Sequence, residues 1–164
     1  MKTQRIIMSA LLAALTTVAT MLIRIPTPLK GYINLGDAIV LLCAFLLPPS
    51  YAFFAAGIGS MLADIFSGYA VYAPATFIIK GLMALAAYFI FKYMNKKSKP
   101  IYAKITSGIV AELIMVLGYL AFESVLYGFL PSLVNVPLNL VQAVAGIVAG
   151  VILAKVFEKV KIFE

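Results

Sequence analysis

The sequence predicts an all-α membrane protein: one bundle of six transmembrane helices over residues 1–164, with both termini in the cytoplasm. Three observations carry this reading. Six hydrophobic stretches joined by short connectors fill almost the whole chain. Hydrophobic residues make up 64% of it and mean hydropathy is +1.08, well above the roughly half-apolar composition of soluble domains. The apolar runs are continuous rather than alternating, which speaks for helices and against a transmembrane barrel. At about 20 residues per span, six spans leave no length for a soluble catalytic domain.

The first stretch runs from Arg5 to Ile23, longer than the apolar core of a secretory signal, and more membrane segments follow it, so it reads as a span. A polar connector follows from Thr27 to Gly36. The second stretch, Asp37 to Leu47, is short and closed by Pro48-Pro49; a run of that length is tilted, kinked or shielded by its neighbours. The third covers Tyr51 to Phe66. Pro74 stands where a proline fits the first turn of the fourth, which ends near Met94. Asn95 to Pro100 is aqueous. The fifth runs from Ala103 to Tyr127, Gly128 to Pro137 reads as a turn region, and the sixth begins at Asn135 or Pro137 and ends at Val156.

Orientation follows from the distribution of basic residues. Lys2, Arg5, Lys92, Lys96, Lys97, Lys99, Lys104, Lys155, Lys159 and Lys161 flank one set of span ends, and only Arg24 and Lys30 flank the other. The first set belongs in the cytoplasm. The net charge of +7 is therefore a topology signal, and nucleic acid is not expected as a partner.

Several chemistries lack their residues. The chain has no histidine and one cysteine, Cys43, inside an apolar run. A histidine-activated nucleophile, an internal disulfide and a thiol-based metal site are thereby excluded, and no phosphate-binding loop or dinucleotide fingerprint is present. The expectation is a protein without catalytic residues, metal or cofactor.

Charges inside spans are costly and usually face the bundle interior. Here they are Asp37, Asp64, Lys80, Glu112 and Glu123. All but Glu112 fall in the outer half; Glu112 lies deeper, suited to packing or partner coupling. Glu112, Tyr119 and Glu123 share one face of the fifth helix, as do Asn135, Asn139 and Gln142 on the sixth. Gly146 and Gly150 continue that face as a close-packing pair. Tyr69 and Tyr72, with Tyr32 and Asn34, sit in outer connectors. Aromatic rings, amides and one or two charges together suit a small, flat, polar heterocycle. Other roles stay open at each position. Asp64 could pair with Lys80 to fix helix register, the tyrosines could be interface anchors, and Asn139 and Gln142 could be interhelical glue. Ala10 and Ala14 form a small-xxx-small strip, which suits packing within the bundle or docking of a separate membrane subunit.

Three stretches carry a family resemblance: Ile33-Asn34-Leu35-Gly36-Asp37-Ala38, the run from Ala63-Asp64 through Tyr69 and Tyr72 to Lys80-Gly81-Leu82, and Pro137-Leu138-Asn139-Leu140-Val141-Gln142-Ala143. With the Ala10/Ala14 pair, the whole chain resembles the S component of an energy-coupling factor (ECF) transporter, of the hydroxymethylpyrimidine, vitamin B6 or riboflavin type. The resemblance implies a vitamin-capturing subunit of a bacterial plasma membrane that works with a transmembrane coupling subunit and two cytoplasmic ATPases. It implies a pocket built from the outer connectors and the last three helices, with hydroxymethylpyrimidine the first choice of ligand. Within that region the expected contacts are Asn34, Tyr69, Tyr72, Lys80, Tyr119, Glu123, Asn139 and Gln142. Lys80 and Glu123 would set polarity, Asn139 and Gln142 would hydrogen-bond the ring, and Tyr69 or Tyr72 would stack on it. Ala10 and Ala14 would meet the coupling subunit. A proton-coupled transporter using Asp64 or Glu123 is a rival reading, weakened by the absence of an internal repeat. A purely structural membrane protein is another, weakened by the polar outer cluster.

Overall fold

The computed structural model describes residues 2–159; Lys161, counted above among the basic residues, lies outside them. Helix α1 spans Lys2–Leu22, followed by strands β1 (Arg24–Pro26) and β2 (Tyr32–Asn34). Then come α2 (Gly36–Leu46), α3 (Pro49–Phe66), α4 (Ala73–Met94), α5 (Pro100–Tyr127), the short α6 (Phe129–Ser132), a 3-10 turn at Leu133–Asn135, and α7 (Val136–Lys159). Prolines open α3, α4 and α5 in their first turns, where the missing N–H would have had no helical partner. Gly128, at φ +90, ends α5 in a backbone conformation that side-chain-bearing residues rarely adopt.

Among the described residues, four helical segments are long and apolar enough to cross a membrane: α1, α4, α5 and the run from Phe129 to Glu158. α2 is different. Its 11 residues extend only about 16 Å at 1.5 Å per residue, against a hydrocarbon core of about 30 Å. Apart from Asp37 in its first turn it is apolar all round, and it is buried from Gly36 to Ala44, as a helix without a solvated face must be. Val40, Leu41, Leu42 and Cys43 form the middle of the core, with Met83 of α4 and Met115 of α5 also fully buried in it.

Two connectors differ from the sequence reading. Thr27–Gly36 is not simply a loop: β1 and β2 pair antiparallel, with Ile25 opposite Ile33. The turn closes through Thr27 N–H donating to the Gly31 carbonyl at 2.9 Å, with Lys30 at φ +56. Three-residue strands, one ending in proline, carry no alternation for a sequence to reveal. Likewise Gly128–Pro137 is helical, forming α6 and the 3-10 turn.

Small residues set the helix spacing. A Cβ on Gly59 of α3 would lie 2.4 Å from the Ala13 carbonyl oxygen and 2.8 Å from Thr16 Cβ of α1. The Thr17 hydroxyl reaches the Gly59 carbonyl at 2.8 Å, a close approach of the kind small residues permit between membrane helices. Gly59→Val is expected to push α1 off α3 and lower stability by about 1–3 kcal/mol, the usual range for overpacking. A thermal unfolding curve in detergent checks it; a melting point equal to that of the parent would mean that α1 shifts at no cost. On α7, Gly146 and Gly150 face α2: a Cβ on Gly150 would sit 3.2 Å from Leu41 Cβ.

Candidate functional site

The carboxy-terminal ends of α3 and α5, the amino-terminal ends of α4 and α7, and the β1–β2 hairpin meet at one end of the bundle. The Asn95–Pro100 connector, with its lysines, lies at the other. Where they meet is a cavity of about 30 Å³, well below the usual small-molecule site, so a ring would need it to widen. The hairpin contributes Thr27, Gly31, Tyr32 and Asn34; α3 contributes Asp64; and α4 contributes Thr76, with Tyr72 just before it. Tyr119 and Glu123 come from α5, and Asn139 and Gln142 from α7.

Hydrogen bonds hold one oxygen of each carboxylate in place. The Tyr32 hydroxyl donates to Asp64 Oδ1 at 2.6 Å. Asn135 Nδ2 donates to Glu123 Oε1 at 2.7 Å. The Tyr72 hydroxyl lies 2.8 Å from the Leu29 carbonyl and 3.2 Å from Glu123 Oε1; with one proton, it donates to one of them at a time. The second oxygens, Asp64 Oδ2 and Glu123 Oε2, are buried and have no hydrogen-bond partner among the described residues. Burial first, and then the nearby Asp64 carboxylate, push the Tyr32 phenol far above its ordinary range. Burial and Glu123 do the same to Tyr72. Both hydroxyls therefore remain protonated donors near neutral pH.

Beneath the cavity lies a buried polar cluster. Lys80 is ion-paired with Asp37, and Gln142 Nε2 donates to the other Asp37 oxygen. Gln142 Oε1 accepts the Asn34 backbone N–H at 2.8 Å, and Asn34 Oδ1 accepts the Gly36 N–H at 2.8 Å. One amide thus ties the hairpin, α7 and the first turn of α2 together. Glu112 lies beside this cluster rather than in the cavity. A Cβ on Gly146 would meet both Glu112 Oε1 at 2.6 Å and Asp37 Cβ at 2.9 Å, and neither Glu112 oxygen has a hydrogen-bond partner among the described residues.

Of the eight contacts expected from the sequence, Asn34, Tyr72, Tyr119, Glu123, Asn139 and Gln142 line the cavity. Two do not. Lys80 is 2% exposed and committed to Asp37 below; the possible pairing with Asp64 is replaced by this one. Tyr69 packs against Tyr32, with ring centroids 4.6 Å apart, and so stands behind the lining. Gln142 lines the cavity, but its oxygen and nitrogen are already engaged. Asn139 is the opposite case: buried, and with no hydrogen-bond partner for its amide among the described residues. The Thr76 hydroxyl lies 3.0 Å from that of Tyr119. Thr27, Tyr32, Asp64 and Thr76 are lining residues that the expected set omitted. Asp64 and Tyr32 were legible as an in-span charge and a connector aromatic, while Thr27 and Thr76 gave no signal. Ala10 and Ala14 lie on the exposed face of α1, whereas Leu12, Thr16, Thr17 and Thr20 face the bundle.

Comparison with known proteins agrees with this architecture. Residues 1–159 match the family model described as ECF-type riboflavin transporter, S component. A Pyrococcus woesei protein described as "Uncharacterized protein in gap 3'region" is 39% identical over 135 residues, covering 82% of this chain and 88% of that protein. Among solved structures, the S component of a bacterial ECF transporter superposes with a TM-score of 0.74 over 97% of this chain and 98% of that one, at 24% identity; this likeness concerns the fold.

Proposed function

The chain belongs to the ECF-type riboflavin transporter S component family, which is a transporter family rather than an enzyme family, and on that footing we propose that it captures a vitamin or vitamin precursor for an importer. It is a multi-pass membrane protein. In this reading α1–α5 and α7 make six membrane segments, with both termini and the lysine-rich connector in the cytoplasm and the cavity open to the outside. A coupling subunit and two cytoplasmic ATPases would complete the importer.

The observation that carries the proposal is the cavity itself: three tyrosines, one unengaged amide and two half-satisfied carboxylates beneath a hairpin. Such a lining suits a flat heterocycle with hydrogen-bonding edges. Hydroxymethylpyrimidine is our first choice, because one small ring asks for less widening of the cavity than a flavin does. Riboflavin is the second reading, favoured by the description of the matching family. Calorimetry on the purified chain with hydroxymethylpyrimidine, pyridoxine, pyridoxamine, thiamine and riboflavin separates them; tight binding of one compound names the ligand. Folded, ligand-free protein that binds none of them would discard the capture reading for these vitamins. Uptake into liposomes by this chain alone, driven by a pH gradient, would favour the proton-coupled alternative.

Asn139→Ala is expected to weaken binding about tenfold, corresponding to roughly 1.4 kcal/mol for one lost polar contact. Its melting temperature should stay at the parental value, since the amide has no hydrogen-bond partner among the described residues. An unchanged affinity would place the ligand elsewhere.

A further inference from the structure

The charge balance of the cavity narrows the chemistry of its ligand. The lining contains two carboxyl groups and no basic side chain. Lys80, the nearest candidate counter-charge, already neutralises Asp37, and its nitrogen lies 5.4 Å from the Tyr119 ring centroid. Arg24 and Lys30 of the hairpin are exposed and outside the lining. Asp64 is 4% and Glu123 3% exposed, and each keeps one buried oxygen without a donor among the described residues. Thr27 Oγ1 is a third buried lining oxygen without a partner among the described residues. Buried acceptors left unsatisfied are costly, and buried carboxylates without a counter-charge more so. The cavity is therefore short of hydrogen-bond donors and of positive charge, on both the α3 and the α5 sides. The tyrosine rings add faces that attract cations.

Resting on the capture reading above, we infer that the ligand is an amine-bearing heterocycle, cationic when bound, that supplies donors to Asp64 on one side and Glu123 on the other. An anionic ring of the same size is excluded by the same two groups.

The test uses one ring with one substituent changed: pyridoxamine with an ammonium group, pyridoxine with a hydroxyl, and 4-pyridoxic acid with a carboxylate. Hydroxymethylpyrimidine and riboflavin are run alongside by calorimetry on the full chain in detergent. Pyridoxamine should bind at least tenfold tighter than pyridoxine, and 4-pyridoxic acid should not bind. Asp64→Asn or Glu123→Gln should reduce that preference to threefold or less. Both variants keep an acceptor for their hydroxyl or amide partner, and each should raise the melting temperature of the ligand-free protein by removing an unbalanced buried charge. This second readout needs no ligand. Equal affinity across the pyridoxine series, or lowered melting temperatures in both variants, overturns the inference. Tight riboflavin binding that neither variant alters overturns it too, while leaving the capture reading intact. A folded chain that binds none of the five compounds overturns both.

Discussion

Lys80→Met is expected to destabilise the bundle by about 3–5 kcal/mol, the cost of breaking a buried ion pair from one side. Asp37 is 0% and Lys80 2% exposed. Without the ammonium, the Asp37 carboxylate would keep, among the described residues, only the Gln142 amide as a donor, in a buried cluster beneath the cavity where its lost partner is not readily replaced. Thermal unfolding in detergent measures the loss. The Asp37→Asn, Lys80→Met double variant should recover most of it, because the uncompensated charge is gone. If the single variant melts with the parent protein, the pair contributes nothing to stability. The effect should extend to the cavity, since the amide that contacts Asp37 also holds the hairpin through Asn34.

The second large effect concerns α1. Replacing Ala10 and Ala14 together by Leu is expected to leave ligand affinity within about twofold of the parent, and to cut ATP-driven uptake by the assembled importer more than tenfold. Both alanines lie on the outer face of α1, among the exposed Ile6, Ile7, Leu11, Leu15 and Val18. They form a shallow strip between larger side chains, the relief against which a second membrane helix packs closely. Neither residue lines the cavity. Uptake in proteoliposomes beside calorimetry on the isolated chain separates the two steps. Full uptake by the double variant would place the coupling subunit on another face.

What the sequence disclosed was whatever lies within one helix. The spacing of Asn135, Asn139 and Gln142 puts them on one side of the last helix, and they are all buried. The Gly146 and Gly150 positions that continue the side meet α2 closely. Pairings between elements were not legible. Asp37 and Asp64 are both acids towards the cavity end of the bundle, and nothing in their spacing tells that Lys80 pairs with the first. Gln142 shows the same limit: its place on the polar face follows from periodicity, but its engagement with Asn34 and Asp37 depends on a hairpin that no pattern announced. Tyr32 and Thr27 enter the cavity through that hairpin, and for the same reason were harder to place than Tyr119 or Glu123.

The hydrogen bond from the Asn34 backbone to Gln142 would act as a clock if the ligand's route runs past the hairpin. A molecule taking that route, inward or outward, would first wait for that bond to open. Loading and release then slow together while the equilibrium between them is untouched. A scarce nutrient would be taken up sluggishly and kept for a long dwell, and the exchange of the Asn34 amide proton with solvent would report how often the door swings.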